Sequence, residues 1–480
     1  YPDNSSAHIL GYVSQISAKD LKTKKYLKDL SVPGMAIGKT GLEKKLDKDI
    51  IGQVGFQRYE VNAFGKRIKE IQITEGQIGK SFKTTLDYEI QKYVNELLED
   101  KAAAVCVMDV YNGDIVSLVS APTFKPNAFV HGLDKDYWNS LIKDGKKPLT
   151  NKAMSGLYPP GSTIKTLVAL SALENGIIKP QDTFRCKGKI ELHGEKFHCW
   201  EKKGHGIVNL RKGIQRSCDV YFYEVARKLG VDRLSETAKK FGLGKQVLSD
   251  FTEERSGVVP NTKWKKKFIG QNWYIGETLH SGIGQGYFQS TPLQLCLMTA
   301  QIANGGYEIK PRIIFENKKD YLKDYLDFKS KNPQETLPSE LLVKNLNLKP
   351  LFKNQKNINI IKDAMFSSSN EPGGTSYRHR IENPKYTFAG KTGSSQVKRF
   401  TEAQREAEVK QTDLNYKDRD HALFVAFAPY NDPKYAISVV VEHGGSGGSA
   451  AAPLAKKIIK KVIERHDLRK EINYSKGGSV

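Results

Sequence analysis

Four apolar, strand-like runs constrain this chain most, because they come as two pairs at opposite ends of its larger part. Ala103–Val110 (AAVCVMDV) and 115–120 (IVSLVS) flank the turn-forming Tyr-Asn-Gly-Asp of 111–114 and predict a hairpin. Two more runs, His421–Ala428 and Tyr435–Glu442, return near the C-terminus, preceded by a candidate strand over 385–390. Between the pairs the apolar period becomes three or four, as in helices. Helices are expected over 84–98 (Leu86, Ile90, Val94 and Leu98 on one face), 166–174, 220–230 and 291–303, with Asn175-Gly176 and Asn304-Gly305-Gly306 as stops. An amphipathic helix over 453–464 closes the series. The arrangement implies an α+β fold: an antiparallel sheet, distant in sequence between its first and last strands, with helices layered against it and a cleft at the join.

At 480 residues the chain is long enough for two folded units. Residues 1–80 are glycine-rich with short alternating segments and read as a small mixed module of strands and turns with one short helix; residues 81–480 form the larger domain. A 39% hydrophobic and 27% charged composition excludes a disordered or fibrous chain. No run is apolar and long enough to span a bilayer, and the opening Tyr-Pro-Asp-Asn-Ser-Ser has neither part of a signal peptide. The expectation is a soluble protein, or one whose anchor is not in this sequence. The net charge of +23 fits an acidic polymer or anionic surface. The lysines are scattered and no nucleic-acid-binding motif accompanies them, so no nucleic-acid partner is expected.

Three stretches carry chemistry. In Tyr158–Leu170 (YPPGSTIKTLVAL), Ser162 and Lys165 lie one helical turn apart, after a Pro-Pro-Gly break. A serine hydroxyl becomes a nucleophile when a base takes its proton, and a desolvated lysine can serve. Near a helix start, unpaired backbone N–H groups also favour the developing oxyanion. Ser217 and Asp219 sit at the mouth of the helix over 220–230, where Ser217 can relay a proton and Asp219 can hold a lysine or orient a substrate. At the end of the strand over 385–390, Lys391, Thr392, Gly393 and Ser394 offer an amine and two hydroxyls beside glycines, so that an acyl substrate can lie along the strand edge. Taken one at a time these are helix caps, turns and solvated charges.

In order, S162-T-I-K165, S217-C-D219 and K391-T-G-S394 resemble the three active-site motifs of penicillin-binding proteins and serine β-lactamases. The surrounding text (YPPGSTIK, GHG at 204–206, PLQL at 292–295, NGG at 304–306, HALFVAFAP at 421–429) is similar to the class B penicillin-binding protein 2 family of rod-shape D,D-transpeptidases. The resemblance extends to a non-catalytic pedestal over 1–80 and implies a transpeptidase fold with an all-helical subdomain. It implies that Lys165 activates Ser162 against a D-Ala-D-Ala stem peptide, that the backbone N–H groups of Ser162 and Ser394 form the oxyanion hole, and that Lys391, Thr392 and Ser394 hold the substrate or β-lactam carboxylate. Stem peptides and lipid-linked precursor are the implied substrates. A glycan polymerase and shape-determining membrane proteins are the implied partners of the pedestal. The implied location is the periplasmic side of the inner membrane, behind an N-terminal anchor outside this sequence. The chain departs from the wider family's S-x-N by carrying Asp219, which accepts but does not donate hydrogen bonds when ionised.

Cys186, Cys199 and Cys218, with His205, make a sound tetrahedral zinc set, although their spacing is not that of a common zinc finger; His193 and His198 are spare candidates. The chemistry needs no cofactor, so zinc here would be structural, tying a lysine- and glycine-rich loop to the helix after Ser217. A Cys186–Cys199 disulfide or free thiols are the alternatives. The resemblance points to His205 and Cys218 as zinc ligands.

Overall fold

The computed structural model describes residues 1–27, 34–130, 132–248, 251–315, 331, 343, 346–352, 354–398 and 409–469, in two compact units. The first unit comprises Tyr1–Thr84, Thr123–Asn151 and Ser249–Glu253. Here β1 (Val13–Gln15) pairs antiparallel with β2 (Ala36–Gly38), and the helix Gly41–Ile50 follows. Leu42 and Leu46, four apart, bury the same face of this helix, and the sequence reading of the module allowed one short helix. A small core of Ala7, Phe124, Phe129 and Leu141 forms, with the Tyr12 ring tilted 31° against that of Phe129 at 4.2 Å. Beyond it β3 (Phe56–Val61) and β4 (Arg67–Thr74) make an almost wholly exposed two-stranded ribbon.

The second unit is built on five antiparallel strands: β5 (Ala103–Asp109), β6 (Ile115–Ala121), β11 (Ala389–Ser395), β12 (His421–Ala428) and β13 (Tyr435–Val441). Their order is β11-β12-β13-β5-β6, so the C-terminal strands join the N-terminal hairpin through β13 and β5. Both faces are covered, which is why the runs read as continuously apolar. Ala103, Val105 and Val107, with Ile437 and Val439, face the helices Tyr88–Leu97 and Ala452–Glu464. The opposite face meets the helix Pro292–Ala303, where the Cys296 thiol lies 3.4 Å from the Cys106 carbonyl and Ser438 donates to the Pro292 carbonyl at 2.6 Å.

The helical part lies beside β11. Helix Lys165–Glu174 is buried almost throughout and packs against helices Asp219–Leu229 and Gln355–Asn370, the latter also touching β11. The segment between the first two motifs is not bare loop. β7 (Phe184–Cys186) pairs with β10 (Gly206–Val208), and β8 (Lys189–Leu192) with β9 (Glu195–His198). Strand β11 is displaced from the 385–390 expected and runs through the Lys391 motif instead of ending before it. Its ladder with β12 (Lys391 opposite Val425, Ser394 opposite Ala422) overrides the low strand preference of Gly-Lys-Thr-Gly-Ser-Ser.

Candidate active site

Ser162 lies in a 3₁₀ turn, Gly161–Ile164, that feeds directly into the helix beginning at Lys165. Gly161 adopts φ +53°, a left-handed conformation that glycine takes without steric penalty. Its N–H donates to the Gly284 carbonyl at 2.9 Å, and a Cβ at this position would stand 2.4 Å from the Ser394 carbonyl oxygen. The Ser162 turn is thus fastened closely to β11, an edge strand of the sheet. From the same strand Gly393 approaches the Thr163 methyl, where a Cβ would lie 2.9 Å away.

Lys165 and Lys391 are fully buried, and Ser217 joins them. The Lys391 amine donates to Ser217 Oγ at 2.8 Å and to the Thr392 carbonyl at 3.0 Å. The Lys165 amine donates to the Ser217 carbonyl at 2.9 Å and to its Oγ at 3.4 Å, and it pairs with Asp219 Oδ1 at 2.7 Å. Ser217 achieves this in a left-handed conformation, φ 54°, uncommon for a residue with a side chain. Burial pushes the Lys391 amine well below its ordinary range, helped by the positive charge of Lys165. Burial likewise raises the Asp219 carboxyl, against the pull of Lys165. A hydroxyl flanked by two amines, one biased towards its neutral form, can pass a proton either way.

The structure also gives Asp219 a definite place. Its second oxygen accepts from the Trp200 backbone N–H at 2.9 Å, and the Trp200 indole donates to the carbonyls of Arg216 and Ser217 at 3.0 and 3.1 Å. Both carboxylate oxygens therefore face internal donors. The Asp219 helix is capped by Cys218, whose sulfur accepts from the Tyr221 N–H. Sequence reasoning missed Trp200, as it missed Thr375, whose hydroxyl meets that of Thr392 at 2.7 Å, and Gln285, which donates to the Ser394 carbonyl at 3.1 Å. The only hints were glycine breaks around the last two, Pro372-Gly-Gly-Thr375 and Gly284-Gln-Gly286.

Ser162, Ser217, Asp219, Thr392, Gly393 and Ser394 line one open cleft of about 640 Å³, whose far wall includes Trp200, Asp420 and Gly447. Lys165 and Lys391 reach its floor through Ser217.

At one side of the cleft, which Cys199 helps to line, Cys186, Cys199, His205 and Cys218 bring one ligand atom each within 4.8 Å of all the others. His205 Nδ1 lies 3.5 Å from the Cys199 sulfur and 3.8 Å from that of Cys186. With zinc–sulfur bonds of about 2.3 Å and zinc–nitrogen bonds of about 2.0 Å, a tetrahedral edge between sulfur and nitrogen is about 3.5 Å. The donor set and its spacing fit zinc. Cys186 and Cys199 are not bridged to each other. His193, in the turn of the β8–β9 hairpin, and His198, which lines the cleft, are not part of this group.

Residues 103–460 match the penicillin binding protein transpeptidase domain, and residues 1–84 the penicillin-binding protein dimerisation domain. The chain belongs to the penicillin-binding protein transpeptidase family. It is similar to the peptidoglycan D,D-transpeptidase MrdA of Salmonella typhimurium, with 35% identity over 95% of this chain and 71% of that one. Among solved structures it resembles penicillin-binding protein 2 of Helicobacter pylori in complex with MreC (TM-score 0.81, 34% identity, 97% of this chain and 78% of that one). It also resembles a chain of a peptidoglycan synthase complex that coordinates polymerization and crosslinking (TM-score 0.74, 25% identity, 100% of this chain and 76% of that one).

Proposed function

We propose that this chain is a peptidoglycan D,D-transpeptidase of the rod-shape (elongation) system and a target of β-lactams. Ser162, its proton taken by Lys165, attacks the carbonyl of the penultimate D-alanine of a stem peptide. The terminal D-alanine leaves and an acyl-enzyme remains, which the amine of a neighbouring stem peptide resolves to form the cross-link. The observation that carries this reading is Ser217 Oγ within reach of both buried lysine amines, at 3.4 and 2.8 Å, on the floor of the cleft that Ser162 lines. Ser217 relays the proton to the leaving amine, and Asp219 holds Lys165 in place. The backbone N–H groups of Ser162 and Ser394 receive the oxyanion, and Lys391, Thr392, Gly393 and Ser394 receive the substrate carboxylate.

Zinc held by Cys186, Cys199, His205 and Cys218 has a structural part. Cys218 caps the Asp219 helix and Cys199 precedes Trp200, so a metal there would fix both sides of the Trp200–Asp219 contact. The first unit, through residues 1–80, serves as the pedestal and receives the glycan polymerase and shape-determining membrane proteins. The exposed ribbon β3–β4, with Phe64 95% exposed and Ile68 and Ile71 63% each, supports that role. The substrate places the protein on the periplasmic face of the inner membrane; among the described residues no helix is long and apolar enough to cross a membrane.

The test is intact mass after incubation with penicillin. A single covalent adduct is expected on the parent and none on Ser162→Ala. An adduct that survives the substitution refutes the assignment, and rapid turnover of penicillin points to a hydrolase.

A further inference from the structure

The short helix Thr262–Phe268 (TKWKKKF) and the segment after it form a surface that the transpeptidation chemistry does not use. Lys265, from the middle of this helix, is buried; its amine pairs with Glu277 and lies 4.5 Å from the centre of the Tyr274 ring. Trp264 packs between Phe268, at 6.0 Å, and Tyr287, at 5.4 Å. These contacts hold the rings from behind while Phe268 stays 65% and Tyr274 62% exposed. Around them Lys263, Lys266 and Lys267 are exposed, the Lys266 amine donating to Asn272 Oδ1 at 3.5 Å and the Lys267 amine standing 5.3 Å from the centre of the Phe268 ring. Glu277 is the only acidic residue between Thr262 and Gly282, and Lys265 already occupies it. The surface is therefore a rigid aromatic base rimmed by three cations.

This surface is joined to the cleft by two routes. The helix Ile275–Gly282 runs on into Ile283 and Gln285, which line the cleft. Phe197 packs on that helix, 5.4 Å from the His280 ring, and the three residues after it, His198 to Trp200, line the cleft as well.

We propose that this platform binds the glycan strand of the polymeric substrate, a reading that rests on the peptidoglycan activity above. The lysines meet the carboxylates of stem peptides along the strand, and the exposed rings of Phe268 and Tyr274, each with a lysine amine near one face, take the apolar faces of its sugars on the other. Charge complementarity selects an acidic polymer, and the layout selects a strand over a lipid surface. A membrane-binding helix sets a continuous apolar face opposite its lysines; here the exposed apolar residues are interleaved with Lys266, Lys267, Gln271 and Asn272.

The experiment measures binding of soluble, un-cross-linked glycan strands to the full chain at two salt concentrations, beside its acylation by penicillin. Two variants are compared, Lys263→Glu/Lys266→Glu/Lys267→Glu and Phe268→Ser/Tyr274→Ser. Each should bind strands at least tenfold more weakly, with the parent's affinity falling at high salt, while acylation stays within twofold. Unchanged strand affinity in both variants, with acylation intact, overturns the platform and leaves the activity standing. A parent that penicillin does not acylate overturns the activity itself. Loss of binding to phosphatidylglycerol vesicles without loss of strand binding overturns the proposal in favour of a membrane contact.

Discussion

Substituting Gly161 by alanine tests whether the Ser162 turn and β11 must stay in close register. The new Cβ would lie 2.4 Å from the Ser394 carbonyl oxygen, where ordinary contact begins at 3.4 Å, so the two segments must part by about 1 Å. The left-handed φ of +53° adds about 1 kcal/mol for any residue with a side chain, and the overpacking about 1–3 kcal/mol. A loss of about 2–4 kcal/mol should lower the unfolding temperature by several degrees yet leave a folded protein. Activity should suffer more, because a shift of about 1 Å between reacting groups costs about a hundredfold in rate, and this shift separates the backbone amides of Ser162 and Ser394. Gly176→Ala is the control. It also has positive φ, +64°, but nothing lies within 4 Å of its Cβ, so it bears the conformational cost alone. The assay is the second-order rate of acylation by a fluorescent penicillin, beside thermal unfolding. Acylation of Gly161→Ala within about threefold of the parent would refute the reasoning.

Asp219→Asn should destabilise by about 2 kcal/mol, since an amide cannot accept from both Lys165 and Trp200 and one charge-assisted hydrogen bond is lost. Acylation should fall about tenfold with it, and unchanged denaturant unfolding would contradict the contact. Metal analysis of the purified chain should find about one zinc, and its removal by a chelator, or Cys199→Ser, should lower the unfolding temperature by at least about 5 °C; a metal-free native protein would end that reading. Burial raises the Asp420 carboxyl from 3.8 to about 6. The folded state therefore binds this proton more tightly than the unfolded one, and the resulting stability is full below pH 3.8 and lost as pH rises through about 6. Two units correspond to about 3 kcal/mol, which solvent screening of a half-buried group reduces to about 1–2 kcal/mol. Denaturant unfolding of Asp420→Asn should lack this decline between pH 4 and 6.5, and parallel curves for the two proteins would refute it.

The sheet was legible because its strands are buried on both faces and so read as unbroken apolar runs, and the helix Pro292–Ala303 because its proline and its Asn-Gly-Gly stop flank an apolar stretch. Ser162, Lys165 and the Lys391 motif stood out only together with Ser217 and Asp219, through their order and its resemblance to the family's motifs; singly they read as caps, turns and solvated charges. The course of β11 was not, because its strand character comes from pairing with β12 and not from its own residues. Trp200 was hidden for another reason. It acts through its backbone N–H and its indole, and nothing in the letters around it says that the chain returns to Asp219. The helix Gly41–Ile50 was visible in Leu42 and Leu46, but the neighbouring glycines suggested turns.

The pairing of β13 with β5 fixes the order in which this molecule can mature. While the chain emerges from its N-terminus, the hairpin β5–β6 keeps its β5 edge open until β13, the last strand among the described residues, arrives to cover it. β11 gains its place in the sheet only through β12 and that same β13. A polypeptide halted between Ser162 and Val441 therefore keeps that serine but lacks the strand that joins β11 and β12 to β5, and the cleft residues beyond it, Ser446 to Gly448, are unmade as well.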